Sequence, residues 1–317
     1  MCTCISKKIG NKNYFCRTMD IDTDFGQKAV LTPRNYPYTL KNGRSIDKHL
    51  AILGMAAIES GYPLYADAMN EKGLAVAALN FPVSAYYEKS TKEIPKAALA
   101  PYELIPLVLG LASDVTSAKK LISEIKLYDI DFNKEIGTSP LHFQISDSKG
   151  GCIVLEPSRE GIKIYDNKVG ILTNEPPFPS QIAHLENFLG LSSGSKGGKM
   201  KNAFKLSESG LGNGAIGLPG DATSLSRFVR AAYLSANAEF DDVEENRICG
   251  LFHMLEGVSI IKGAVKSKNG NHYTHYISVM DTSEGIYRYR HYDGLAPVSV
   301  SFLQAEPESD TLIEIGV

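Results

Sequence analysis

The sequence predicts an α+β protein in which helices cover the outer faces of stacked, mainly antiparallel sheets. Three observations carry this. Several short strand-like runs are joined by tight turns rich in glycine, asparagine and aspartate, the signature of hairpins. Residues 51–58 and 73–79 are apolar at nearly every position, as strands buried on both faces are. Two pairs of helical segments alternate with groups of strands instead of following each strand singly, which argues against a parallel βαβ sheet. With 317 residues and 43% apolar content the chain can form a sizeable core, and residues 1–317 read as one domain.

In chain order, residues 2–6 and 14–19 read as two strands around a turn at 9–13, which starts the chain inside a sheet. Residues 29–32 form a strand closed by Pro33, and 51–58 and 73–79 follow as buried strands. Residues 102–111 begin a helix after Pro101, and 115–125 continue as a second helix with Asp114 as its N-cap. Residues 142–146 and 152–156 flank a turn at 147–151, and 162–165 and 170–173 flank Asp166-Asn167-Lys168, giving two successive hairpins. Residues 192–220, rich in glycine, serine and lysine, read as a long loop of the kind that is functional, an assembly element or locally disordered. Residues 224–237 and 243–259 make the second helix pair, and 272–280 with 285–291 the last hairpin. No internal repeat is visible.

Thirty-three basic residues against thirty-six acidic ones give a net charge of −3 without any basic block, so nucleic acid is not an expected partner. The longest apolar runs, such as 107–112, fall far short of the roughly 20 residues of a membrane span. The N-terminus turns charged at Lys7 and Lys8, too early for a secretory signal, and a cytoplasmic protein is expected. The odd set Cys2, Cys4, Cys16, Cys152 and Cys249 argues for free thiols. Cys2, Cys4 and Cys16 match no zinc spacing, and no metal or cofactor is expected.

Initiator methionine is normally trimmed before a small residue, so the mature chain is expected to begin at Cys2. A thiol and a free α-amine then share one residue. The amine titrates near roughly pH 8, close enough to ambient pH to take the thiol proton, which is the logic of an N-terminal nucleophile. Such a site needs a cation beside the sulfur, an acceptor for the amine and donors for the oxyanion. Arg17 and Asp20, Asn80, Asn174 and Arg227 offer these groups at predicted strand ends or a helix start. Each also has an ordinary reading: an Arg17–Asp20 ion pair, turn residues at Asn80 and Asn174, a surface charge at Arg227. A Cys/His dyad using His142, His253 or His275 stays open, although nothing in the local sequence marks one of them.

As a set, in order and spacing, these residues resemble the choloylglycine hydrolase family, the bile salt hydrolases and penicillin V acylases of the N-terminal-nucleophile superfamily. Met1-Cys2-Thr3 resembles the family's processed start, and Arg17-x-x-Asp20 its Gly-Arg-Asn-x-Asp motif. The resemblance continues through Asn70-Glu71-Lys72-Gly73-Leu74, Leu79-Asn80-Phe81-Pro82 and Leu172-Thr173-Asn174. It ends in Leu218-Pro219-Gly220-Asp221 leading to Ser226-Arg227-Phe228-Val229-Arg230. It implies a four-layer αββα sandwich and a homotetramer, with residues 192–220 as a possible contact between copies. It also implies roles: Cys2 as nucleophile, Arg17 and Arg227 holding the thiolate, Asp20 orienting the amine, Asn80 through its N–H and Asn174 through its side chain binding the oxyanion.

The implied reaction is amide hydrolysis through a thioester, with no cofactor. Asparagine at position 80 is what the family's bile salt hydrolases tend to carry, where its penicillin acylases carry tyrosine, so conjugated bile salts are the expected substrates and penicillin V or another N-acyl amide the alternative. Met19, Phe132, Ile136 and Leu141 fall where the family contacts the acyl group. A chain that keeps Met1 would instead bind amphipathic acids without cleaving them. Cys16-Arg17-Thr18 departs from the family's Gly-Arg-Asn, and Cys16 is a possible second thiol near the site.

Overall fold

Strand alternation sorts the chain into two antiparallel sheets that face one another. The computed structural model describes residues 1–90, 93–195, 199–207, 210–303 and 306–315. Its main strands are β1 (Cys2–Ile9), β2 (Lys12–Ile21), β3 (Lys28–Thr32), β4 (Ile52–Glu59), β5 (Tyr62–Asn70), β6 (Ala75–Asn80) and β7 (Leu141–Ser146). They continue with β8 (Cys152–Ser158), β9 (Gly161–Asp166), β10 (Ile171–Leu172), β11 (Asn271–Asp281), β12 (Ile286–His291), β13 (Val298–Ser301) and β14 (Ile313–Ile315). The first sheet runs β10-β1-β2-β11-β12-β13, the second β9-β8-β7-β6-β5-β4-β3-β14.

Period-two alternation explains why β6 is apolar throughout: Ala75, Ala77 and Leu79 join the core that holds Cys2, Cys4 and Tyr276, while Val76 and Ala78 join a second core under the helices. Helices α1 (Leu104–Leu111) and α2 (Val115–Ile122) supply Leu104, Leu107, Val108 and Ala118 to that second core. The side chain of Asp114 accepts from Ser117 N at 2.8 Å, an N-cap worth about 1 kcal/mol. After α3 (Phe178–Leu185) and the short α4 (Lys199–Phe204), the long helices α5 (Ser224–Asn237) and α6 (Glu244–Glu256) lay Phe228, Ala231, Leu251 and Leu255 on the first sheet. The order of layers is therefore helix, sheet, sheet, helix. Among the described residues no helix is long and apolar enough to cross a membrane.

The second predicted hairpin is corrected. Residues 161–166 pair with β8 as expected, but β10 crosses to the other sheet and pairs with β1, placing Leu172 opposite Cys4 and Ile171 opposite Ile5. The turn between them redirects the chain: Gly170 sits at φ +76°, and a Cβ there would lie 2.3 Å from the Ser6 carbonyl. The Asn167 side chain ties the turn, accepting from Gly170 N at 2.8 Å and donating to the Ile171 carbonyl at 2.9 Å. Strand β5 escaped the sequence reading because Pro63 and Asp67 interrupt its apolar pattern. Helix α3, the short pieces inside 192–220, and β13 and β14 were also unassigned; residues 196–198 and 208–209 of that loop lie outside the described residues.

Gly170→Ala should destabilise the fold by about 2 kcal/mol or more, because it adds a side chain at positive φ against a backbone oxygen. Thermal or denaturant unfolding measures it, and an unchanged midpoint would show that the turn tolerates the side chain.

Candidate active site

The β1–β2 ladder sets Cys2 opposite Met19 and Cys4 opposite Arg17. Residues opposite one another on an antiparallel ladder share a face, so these side chains point between the sheets, while Thr3, Thr18 and Asp20 point toward the α5 side. Arg17 Nη2 donates to Cys2 Sγ at 3.0 Å and to Met19 Sδ at 3.0 Å, and Nη1 donates to the Ala66 carbonyl at 2.8 Å. Cys2 is 2% exposed and Arg17 fully buried. Burial by itself would weaken the hold of Arg17 on its proton. The neighbouring Tyr276, Cys2 and Asp67 outweigh that and raise its pKa, which fixes a positive charge against the sulfur.

Arg227 approaches from the other face of the sheet. It stands in the first turn of α5, and its Nη1 donates to the Cys2 carbonyl at 2.5 Å and to Thr3 Oγ1 at 2.7 Å. Nη2 donates to Asn174 Oδ1 at 2.8 Å, and Nη1 lies 4.0 Å from Asp20 Oδ2. Burial lowers the Arg227 pKa, and Asp20 opposes that shift. The two arginines therefore divide the work that the resemblance assigns to both: Arg17 reaches the sulfur, and Arg227 braces the backbone behind it. The Asp20 carboxylate accepts from Thr274 Oγ1 at 2.6 Å and Thr18 Oγ1 at 2.9 Å, and its carbonyl accepts from the Met1 ammonium.

Asn174 gathers the remaining groups. Its Oδ1 accepts from Cys2 N at 2.7 Å, and its Nδ2 donates to the Asn80 carbonyl at 2.8 Å. Phe81 N donates to the Pro140 carbonyl, and Leu141, opposite Asn80, turns its own N–H and C=O to Tyr87. Asn80 therefore occupies a non-hydrogen-bonded position against β7, and its N–H emerges on the same side as its carbonyl, toward Asn174. The Asn174 turn is held by groups that the sequence reading did not single out. Gln181 Nε2 donates to the carbonyls of Asn174 and Pro176 at 2.6 and 2.8 Å, and Ser224 Oγ accepts from Asn174 N at 2.9 Å. The Glu175 carboxylate accepts from Val83 N, Ser84 N and Ser84 Oγ, which fastens the loop after Asn80 to Asn174.

A cavity of about 320 Å³ opens beside the sulfur, with Met19, 3.9 Å from Cys2 Sγ, in its wall. Ala56, Ala57, Ala66 and Ala78 leave the room, and Leu64, Ile105, Phe143 and Tyr102 make it apolar. Of the expected acyl contacts, Met19, Ile136 and Leu141 line it; Phe132 stands behind the wall, edge-on to Tyr102 at 5.3 Å.

The three histidines are placed elsewhere. His142 is buried, with Nε2 2.8 Å from the Thr173 carbonyl and its ring stacked on Phe81; His253 bonds Glu256, and His275 the Ile21 carbonyl. Cys16 is next to Arg17 on β2 and so faces away from Cys2, and burial pushes its thiol well up. It is not a second thiol at the site, and its side chain is absorbed by the core without displacing Arg17 from the sulfur. Among the described residues no cluster of three or more His, Cys, Asp or Glu is placed to hold a metal.

Comparison with known proteins gives the family. The sequence model of the linear amide C–N hydrolases, choloylglycine hydrolase family, matches residues 2–312. A bile salt hydrolase/transferase of Lactiplantibacillus plantarum is 40% identical over 314 residues, covering 99% of this chain and 96% of its own. A solved structure of a mutant conjugated bile acid hydrolase from Clostridium perfringens superposes with TM-score 0.89 at 32% identity, covering 100% of this chain and 97% of that one. A penicillin V acylase structure from Agrobacterium tumefaciens shares the fold, with TM-score 0.77 at 18% identity over 98% of this chain and 90% of its own. With the family match spanning nearly the whole chain and the sandwich fold in common, the protein belongs to the choloylglycine hydrolase family of linear amide C–N hydrolases.

Proposed function

We propose that this protein is a bile salt hydrolase that cleaves the amide bond of glycine- or taurine-conjugated bile salts, with Cys2 as its N-terminal nucleophile. One observation carries the reading: the Cys2 sulfur lies at 3.0 Å from Arg17, beside Asn80 and Asn174, at the edge of an apolar cavity. Removal of Met1 turns the Cys2 nitrogen, now an amide that donates to Asn174 Oδ1, into an α-amine. That amine takes the thiol proton as the sulfur attacks the substrate carbonyl, returns it to the departing glycine or taurine nitrogen, and then activates water against the thioester.

Arg17 favours the charged sulfur. Asp20 and Arg227 hold the residue that carries the amine, and Asn174 Nδ2 with Asn80 N–H receives the oxyanion. The steroid occupies the cavity against Met19, Ile136 and Leu141, with Phe132 supporting Tyr102 from behind. The names of the relatives in Lactiplantibacillus plantarum and Clostridium perfringens support the substrate class. Asn80 favours bile salts over penicillin V, and no step calls on a metal or cofactor.

The exposed side chains of Met200, Phe204, Leu206, Leu211 and Ile216 support a contact between copies through the 192–220 loop, and we read the enzyme as a cytoplasmic homotetramer of one-domain subunits.

Purified processed enzyme should release free bile acid from glycocholate, glycodeoxycholate and taurocholate faster than it cleaves penicillin V; the reverse ranking would move the assignment to an acylase. Cys2→Ala should abolish hydrolysis with an unchanged circular dichroism spectrum, and residual activity above about one per cent would remove the thiol from the mechanism. Asn174→Ala should lower kcat by about 10²–10³, and a loss below about threefold would make it a turn residue only.

A further inference from the structure

Asp67 is a fully buried carboxylate that the mechanism above leaves without a task. It stands on β5 in the second sheet, yet its side-chain partners all come from the first. Oδ1 accepts from the Tyr287 hydroxyl at 2.7 Å and from Ser278 Oγ at 3.0 Å, while Oδ2 accepts from the Tyr276 hydroxyl and lies 3.5 Å from Arg17 Nη1. Burial first, and then the carboxylate itself, push both phenols well up, which favours their role as hydrogen-bond donors to Asp67. Arg17 thus serves two partners at once: the Asp67 carboxylate through Nη1, and the Cys2 sulfur through Nη2.

We propose that Asp67 is a positioning residue that tempers Arg17, drawing off part of the guanidinium's charge so that the Cys2 sulfur ionises readily without being held as an inert arginine–thiolate pair. This rests on the reading of Cys2 as nucleophile. The physical reason is that a thiolate becomes less nucleophilic as its basicity falls, so a cation with nothing else to neutralise would over-stabilise it. The three hydroxyls set how much negative charge Asp67 presents to Arg17: each donor removed leaves the carboxylate a stronger competitor for the guanidinium. The other ionisable groups that face Cys2 are Tyr276 on β11, Cys4 two residues along the same face of β1, Arg227 with Asp20 on the helix side, and the α-amine of Cys2 itself. The substitutions below leave all of these in place.

The test is the pH profile of Cys2 alkylation by iodoacetamide in the processed full-length enzyme, read at the Cys2 peptide by mass spectrometry, alongside the maximal rate of glycocholate hydrolysis. Asp67→Asn should move the alkylation midpoint to lower pH by roughly half a unit or more and lower the hydrolysis rate about threefold, a more acidic yet slower nucleophile. Tyr287→Phe keeps the carboxylate and removes one donor, so its midpoint should move to higher pH. An Asp67→Asn midpoint that stays or rises overturns the proposal. If that variant does not fold, Tyr287→Phe decides alone: an upward shift supports the proposal, and no shift or a downward one overturns it. If alkylating Cys2 in the unsubstituted enzyme leaves hydrolysis intact, the nucleophile reading itself fails, and the inference with it.

Discussion

A guanidinium removed from water must find protein acceptors for its donors, and Arg17 meets that demand between the two sheets. One arm is fixed to the second sheet at Ala66 and Asp67, and the other is left to the sulfurs of Cys2 and Met19 on the first. The same side chain therefore couples the layers and places a positive charge against the Cys2 sulfur. The β1–β2 register makes this possible. With Cys2 opposite Met19 and Cys4 opposite Arg17, the arginine is one pleat along on the same face as the thiol. A one-residue slip would turn Arg17 to the helix side and replace it beside the sulfur with an uncharged neighbour.

The second constraint is the crossing of β10. Had residues 171–172 continued the β9 hairpin, Asn174 would have ended at the far edge of the second sheet. Instead, Gly170 turns the chain onto β1, and Asn174 arrives between the Cys2 nitrogen, Arg227 and the Asn80 carbonyl. Gln181, Ser224 and Glu175 then fix the turn from three directions. Oxyanion donors gain their effect by being held before the charge develops, and in the proposed mechanism these bonds hold Asn174 in that way.

Much of the layering was legible in the sequence because it rests on local patterns: the turn between β1 and β2, an apolar run in β6, Asp114 before α2. The individual site residues were legible only as an ordered set, since Arg17, Asp20 and Asn80 each look ordinary alone. What escaped reading did so for physical reasons. Asp67 and Pro63 break the strand pattern of β5, and Asp67 breaks it because it meets Tyr276, Ser278, Tyr287 and Arg17 across the sheets, which no local window contains. The turn before β10 has the composition of a hairpin turn, and its change of sheet depends on a close approach to Ser6, more than 160 positions away in sequence. Gln181 looks like a surface helix residue, yet it is fully buried by its bonds to Thr173 and Asn174.

The central claim is that catalysis belongs to a thiol whose own α-amine serves as its base, held between Arg17 on one face and Arg227 and Asn174 on the other. It is tested most directly by rapid acid quenching of the enzyme during turnover of glycodeoxycholate, followed by intact-mass and peptide analysis. The account predicts a chain that has lost Met1 and carries a transient deoxycholyl thioester on Cys2. Hydrolysis by a chain that still carries Met1, or an acyl group found on any other residue, would contradict it.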